Sequence, residues 1–153
     1  MKRFSIILIF VLFFMSSCAR SGLVERAIGA KIETCKPDIP CIVKIKDLTD
    51  FQWDEMHVFS YGSSLDEIRK TLRTDFPDYV EFKRRIIFIK DGKIVHWENE
   101  PTDIGRMTEG EVRFEGMENE PSQLSFTPEN AVFIGEKYFP TSAGVAYSLK
   151  QIK

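Results

Sequence analysis

The sequence predicts an α+β domain, an antiparallel sheet of about six strands with one main helix packed on it. Three observations predict it. Several short stretches alternate apolar and polar residues with the period of two that a half-buried strand requires. Asp91 and Gly92 stand alone between two such stretches, and a two-residue Asp-Gly link supplies the positive φ angles of a tight hairpin. Only one segment carries a strong helix start, and few helical patterns separate the strands.

Taken in order, the chain begins with Met1, Lys2 and Arg3, followed by apolar residues from Phe4 to Met15 interrupted only by Ser5. Two cations ahead of about a dozen apolar residues form a secretory signal, too short for the roughly 20 residues that cross ~30 Å of hydrocarbon. Met15, Ser16, Ser17 and Cys18 follow it. This quartet resembles the lipobox of bacterial lipoproteins, with Met15 in place of the more usual Leu. The resemblance implies that Cys18 receives a diacylglyceryl group on its sulfur and becomes the first residue of the mature protein. Two or three acyl chains anchor a protein stably where one does so only marginally. Ala19, rather than Asp, follows the cysteine, which by the same resemblance implies the outer membrane, facing the periplasm, in a Gram-negative host.

Residues 1–17 are thus expected to be a signal peptide and 18–34 a lipidated tether, since Ser21, Gly22 and Gly29 surround a single short amphipathic stretch. The α+β domain is then expected over 35–153. With Cys18 assigned to lipid, Cys35 and Cys41 remain, and an even pair outside the cytoplasm reads as a disulfide. Closing so short a loop stabilises by roughly 2 kcal/mol on the chain-entropy view. A redox or zinc site would need C-x-x-C spacing or further ligands nearby.

Strands are expected at 41–46, where Cys41, Val43 and Ile45 alternate with lysines, and at 53–59. Ser64 and Glu67 form a capping box at the start of a helix over 65–73, with Leu65, Ile68 and Leu72 on one face. Residues 85–90 and 93–97 flank the Asp91-Gly92 turn, and further strands fall at 111–115, 131–134 and 145–150. Residues 98–121 hold eight acidic residues against Arg106 and Arg113, with three Gly and two Pro, and read as a solvated loop and edge hairpin. The ordered carboxylate spacing of a calcium loop is missing from it.

Several functions are disfavoured at this level. Without residues 1–17 the formal charge is about −4, and no basic stripe exists to hold nucleic acid. The chain carries no H-E-x-x-H, G-x-S-x-G, P-loop or dinucleotide fingerprint, so no catalytic residue, metal or cofactor is assigned. His57, beside Glu55, and His96, beside Trp97, read as surface or rim histidines, and Asp54 and Glu55 could serve in a paired-carboxylate site only with a second acid brought across by the fold. Trp53, His57, His96 and Trp97 are the residues singled out for a binding surface, although Trp53 and Phe59 read first as core residues and binding by an exposed Trp53 is the lesser alternative.

Trp53, Asp54, Met56, Val58 and Phe59, with the capped helix from Ser64 to Ile68, resemble a segment of small bacterial lipoproteins in which a W-D dipeptide opens an aromatic-ended strand. That resemblance implies no particular activity. The expectation is a membrane-anchored envelope lipoprotein that acts by binding, with the bilayer and an envelope protein as partners. An immunity or exclusion lipoprotein that neutralises a toxin or incoming element is the alternative within that class, and an envelope hydrolase the alternative outside it.

Overall fold

A computed structural model describes residues 22–100, 109–117, 122–139 and 144–152. The lipobox residues Met15, Ser16, Ser17 and Cys18 lie outside the described residues. Two helices and eight strands occur among those described. In chain order they are α1 (Leu23–Glu33), β1 (Cys41–Lys44), β2 (Glu55–Phe59), α2 (Leu65–Leu72), β3 (Arg85–Lys90), β4 (Lys93–Asn99), β5 (Val112–Phe114), β6 (Gln123–Phe126), β7 (Val132–Tyr138) and β8 (Ala146–Gln151).

The α+β class holds, but the strands form two sheets and not one. One sheet runs β1-β7-β8-β5 and the other β4-β3-β2-β6. All pairs are antiparallel except β5 with β8. The inner faces of both sheets, with Val43, Phe133 and Leu149 from the first and Met56, Ile86 and Phe88 from the second, share one core with α1. The outer face of the second sheet packs under α2, where Ile87, Ile89 and Phe59 meet Ile68, Leu72 and Phe76. Covered on both faces, β3 needs the unbroken apolar run Ile86-Ile87-Phe88-Ile89 rather than alternation.

The local signals explain most boundaries. At α2 the Ser64 side chain accepts from the Glu67 amide while the Glu67 carboxylate accepts from the Ser64 amide, the reciprocal cap read in the sequence. Asp91 and Gly92 have φ of 50° and 71°, as the β3–β4 turn requires. Asp54 holds that turn from outside. Its carboxylate accepts from the Asp91 amide at 2.8 Å and from Lys90 Nζ at 2.7 Å, and the amide hydrogen bond, followed by the lysine, holds its pKa low. The aspartate of the W-D dipeptide thus serves a turn.

Three expectations need correction. Residues 18–34 were read as a tether, yet Leu23–Glu33 form α1, whose Val24, Ile28 and Ile32 enter the main core at i, i+4 and i+8. The glycines that suggested a linker are there for close approach. A Cβ on Gly29 would come within 2.7 Å of the Tyr147 ring, and one on Gly22 would run into the Glu98 carboxylate. Leu23–Glu33 therefore belong to the folded unit, which does not start at Cys35. Secondly, β6 had no counterpart in the sequence reading, and it is the edge that completes the second sheet beside β2. Thirdly, residues 98–121 are not wholly solvated: Glu98, Glu100 and Glu111 are buried, and Val112–Phe114 pairs with β8. Glu109 and Glu115 are exposed, as expected, and Asp103, Glu118 and Glu120 lie outside the described residues.

Cys35 and Cys41 form a disulfide with Cα atoms 5.5 Å apart, tying the end of α1 to the first residue of β1. The staple joins helix to sheet.

Candidate functional site

The polar residues gather where β2 ends, β3 begins, β4 ends and β5 begins. Arg84, immediately before β3, is almost wholly buried, and its Nη2 reaches Glu25 Oε1 of α1 at 3.1 Å and Glu100 Oε1 at 2.5 Å. Tyr61 donates its hydroxyl to Glu100 Oε2 at 2.6 Å. Nearby, Glu98 Oε1 accepts from the Val24 amide at 2.8 Å and bonds His96 Nε2 at 2.9 Å, satisfying one free amide at the start of α1. Glu25 Oε2 and Glu98 Oε2 are buried with no hydrogen-bond partner among the described residues.

Beside this network lies a cavity of about 580 Å³, lined among others by Tyr61, Arg84, Glu111, Arg113, Tyr138 and Ser148. It lies along β5, the edge strand of the first sheet, and offers two guanidiniums, two phenols and the carboxylates of Glu111 and Glu115. Glu111 is buried and accepts from Arg113 Nε at 3.1 Å, so part of this charge is already paired. Phe114 and Met117 add apolar surface to these polar groups, so the wall of the cavity is mixed. Composition alone hid it, because carboxylates aimed at a buried arginine look in sequence like carboxylates in solvent.

Burial drives the Glu25 carboxyl up to about 7, with Arg84 opposing and Glu100 and Glu98 reinforcing. A carboxyl whose folded value exceeds its unfolded one binds extra protons in the native state. Its contribution to stability is therefore present at low pH and lost as pH rises from 4.5 to about 7. This loss amounts to about 3 kcal/mol at 1.4 kcal/mol per unit. His57 acts with the opposite sign below 6.5, since burial lowers its value. Comparison with Glu25→Gln cancels that term. Urea unfolding at about pH 5 and pH 8 is expected to show the parent losing about 3 kcal/mol relative to the variant. Equal losses in the two proteins would remove Glu25 as the titrating group.

The four residues singled out for a binding surface do not share one. Trp53 precedes β2, so strand parity does not govern it, and it turns into the main core against Phe88 with ring centroids 5.3 Å apart. His96 lies on the same inner side, stacked at 4.7 Å on Phe51. Trp97 points to the opposite face, edge-on to Phe76 at 6.2 Å and partly exposed.

His57 was expected at the surface and is buried, because β2 is flanked by β3 and β6. Its Nδ1 meets Ser125 Oγ at 2.9 Å and its Nε2 meets Glu55 Oε2 at 3.0 Å. The chain of contacts looks like a nucleophile, a base and an orienting acid. Its setting differs. Ser125 lies mid-strand directly across from His57, not on a sharp turn that lifts the hydroxyl clear of the sheet. Gln123 Nε2 donates to the same Oγ at 3.2 Å, leaving the serine proton for Nδ1 and the imidazole's own proton for Glu55. A neutral imidazole fixed between two strands fits all three bonds.

Among the described residues no group of three or more His, Cys, Asp and Glu converges as metal ligands, and no helix is long and apolar enough to cross a membrane. Compared with profiles of protein families, with curated proteins and with solved structures, the chain matches none.

Proposed function

We propose that the mature protein is an envelope lipoprotein, held to a bacterial membrane by acyl chains on Cys18, whose α+β domain binds a partner lying close to the bilayer. The observation that carries this reading is the quartet Met15-Ser16-Ser17-Cys18 directly behind a cationic, apolar leader. In a Gram-negative host Ala19 directs the product to the periplasmic face of the outer membrane. Two structural features support it. The Cys35–Cys41 disulfide suits an oxidising compartment. The cavity beside Arg84 sits at the end of the domain from which α1, and hence the anchor, departs. Anchoring confines the domain to a thin layer and raises its effective concentration toward anything else in that layer. A binder gains from that confinement without needing catalytic groups.

Replacing Cys18 tests the anchor. The parent is expected to sediment with the membrane fraction and Cys18→Ala to appear in the soluble fraction, with intact-mass spectrometry of the parent showing the acyl additions. A Cys18→Ala protein that still sediments with membranes would defeat the reading.

A further inference from the structure

The exposed apolar side chains are distributed unevenly over the molecule. Among the described residues nine large apolar side chains are exposed, and five of them, Leu23, Ile39, Val80, Phe82 and Phe139, stand at one end. Leu23 opens α1 beside Glu98, near the end of β4. Val80 and Phe82 lie on the segment leading into β3, whose first residue Arg85 pairs with Asn99 at the end of β4. Phe139 directly follows β7, and Ile39 lies in the disulfide loop before β1, whose first residue pairs with Gly135 of β7. The cavity residues Tyr61, Arg84, Glu111 and Tyr138 join the ends of the two sheets here. The opposite end carries the polar turns Asp91-Gly92 and Pro128–Asn130 and the segment 46–50.

Phe82 is unusual in a second way. It holds a left-handed φ of 57°, costly for a residue with a bulky side chain, while the residue is 59% exposed. Arg85 holds the segment in this shape by donating to the Val80 and Lys83 carbonyls on either side of Phe82, and the Phe82 side chain itself stays out of both cores.

We infer that this end of the domain rests on the bilayer, with Leu23, Phe82 and Phe139 entering the boundary between headgroups and acyl chains. The inference rests on acylation at Cys18. Only residues 19–22 separate Cys18 from Leu23, so the two Cα atoms stand at most ~18 Å apart. A domain of this length is about 35 Å across, roughly twice that reach. The leash is therefore too short for the domain to present its far end to the lipid, and the end that must face the membrane is the one rich in exposed apolar side chains. Arg26 and Lys83 lie in the same region with the acids Asp78 and Glu81. With both signs present the contact is driven by apolar insertion and persists at high salt.

The test uses the full acylated chain in vesicles of phosphatidylethanolamine and phosphatidylglycerol in equal parts, with some acyl chains brominated. Tryptophan is introduced singly as Phe82→Trp, Leu23→Trp or, at the far end, Lys93→Trp, and the parent's fluorescence is subtracted. Emission from the first two is expected to fall by about half or more, with the third unchanged, in low and high salt alike. Either proximal variant suffices if the other fails to fold. Acylated protein in the vesicles whose proximal tryptophans are quenched no more than the Lys93→Trp probe would overturn the docking and leave the anchor standing, pointing to a protein partner on this face. A chain without acyl groups on Cys18 by mass spectrometry would overturn the anchor and this inference together.

Discussion

Replacing Arg84 with methionine is expected to destabilise the domain by about 3–5 kcal/mol, a large share of the 5–15 kcal/mol typical of a whole domain. The guanidinium is the cation shared by Glu25 and Glu100, and its side chain and both carboxylates are less than a tenth exposed. Removing it leaves two buried acids without that partner. Tyr61 still donates to Glu100, but one hydroxyl does not neutralise a charge. The loss is expected to be greater at pH 8 than at pH 5, because Glu25, pushed up to about 7, is largely protonated at the lower pH and needs no cation there. Lys137→Met is the comparison, since Lys137 and Glu33 pair at 2.6 Å with both side chains more than a third exposed, and solvent screens so exposed a pair that its loss is expected to move the midpoint little. Urea unfolding of both variants measures the difference. Similar midpoints for the two would mean that burial adds nothing to the Arg84 cluster.

The same cluster shows what a sequence can and cannot disclose. Local signals were legible wherever the physics is local: the Ser64–Glu67 cap, the Asp91-Gly92 turn and the Cys35–Cys41 pair each lie within seven residues of chain. Long-range partnership was not. Glu25 and Arg84 are 59 residues apart, and His57 and Ser125 are 68 apart. Nothing in the composition of residues 98–111 distinguishes Glu98, Glu100 and Glu111, which are buried, from acids that face water.

The split into two sheets was hidden for a similar reason. Strands announce themselves by alternation, but their partners are chosen by loops of 50 residues and more, as when β1 finds β7 and β2 finds β6. β6 itself offers only Leu124 and Phe126 as apolar residues on four positions, a pattern too brief to stand out. α1 is a different case. Val24, Ile28 and Ile32 recur at helical spacing, so its amphipathic stripe was present in the sequence. Gly22 and Gly29 obscured it, because a glycine chosen for close packing against Glu98 or Tyr147 looks the same as a glycine chosen for flexibility.

That ambiguity has a large experimental consequence. A chain starting at Cys35, the boundary suggested by the glycines, is expected to lose its cooperative unfolding transition and to bind hydrophobic dyes, whereas a chain starting at residue 22 folds. Val24, Ile28 and Ile32 are each at most 2% exposed, and burying three such side chains stabilises by roughly 5–9 kcal/mol, comparable with the whole net stability. Without α1 the inner face of the first sheet, including Tyr147 and Gly135, loses its cover, and Arg84 loses Glu25. Ile28→Ala in the longer chain gives the graded version, with an expected cost of about 2–5 kcal/mol from a cavity where no surface side chain can collapse inward. Cooperative melting of the Cys35 chain would return 22–34 to the status of a tether. It would also lengthen the leash that the proposed anchor gives the domain, since the proposed bilayer contact by Leu23 and Phe82 depends on α1 being rigidly part of the core.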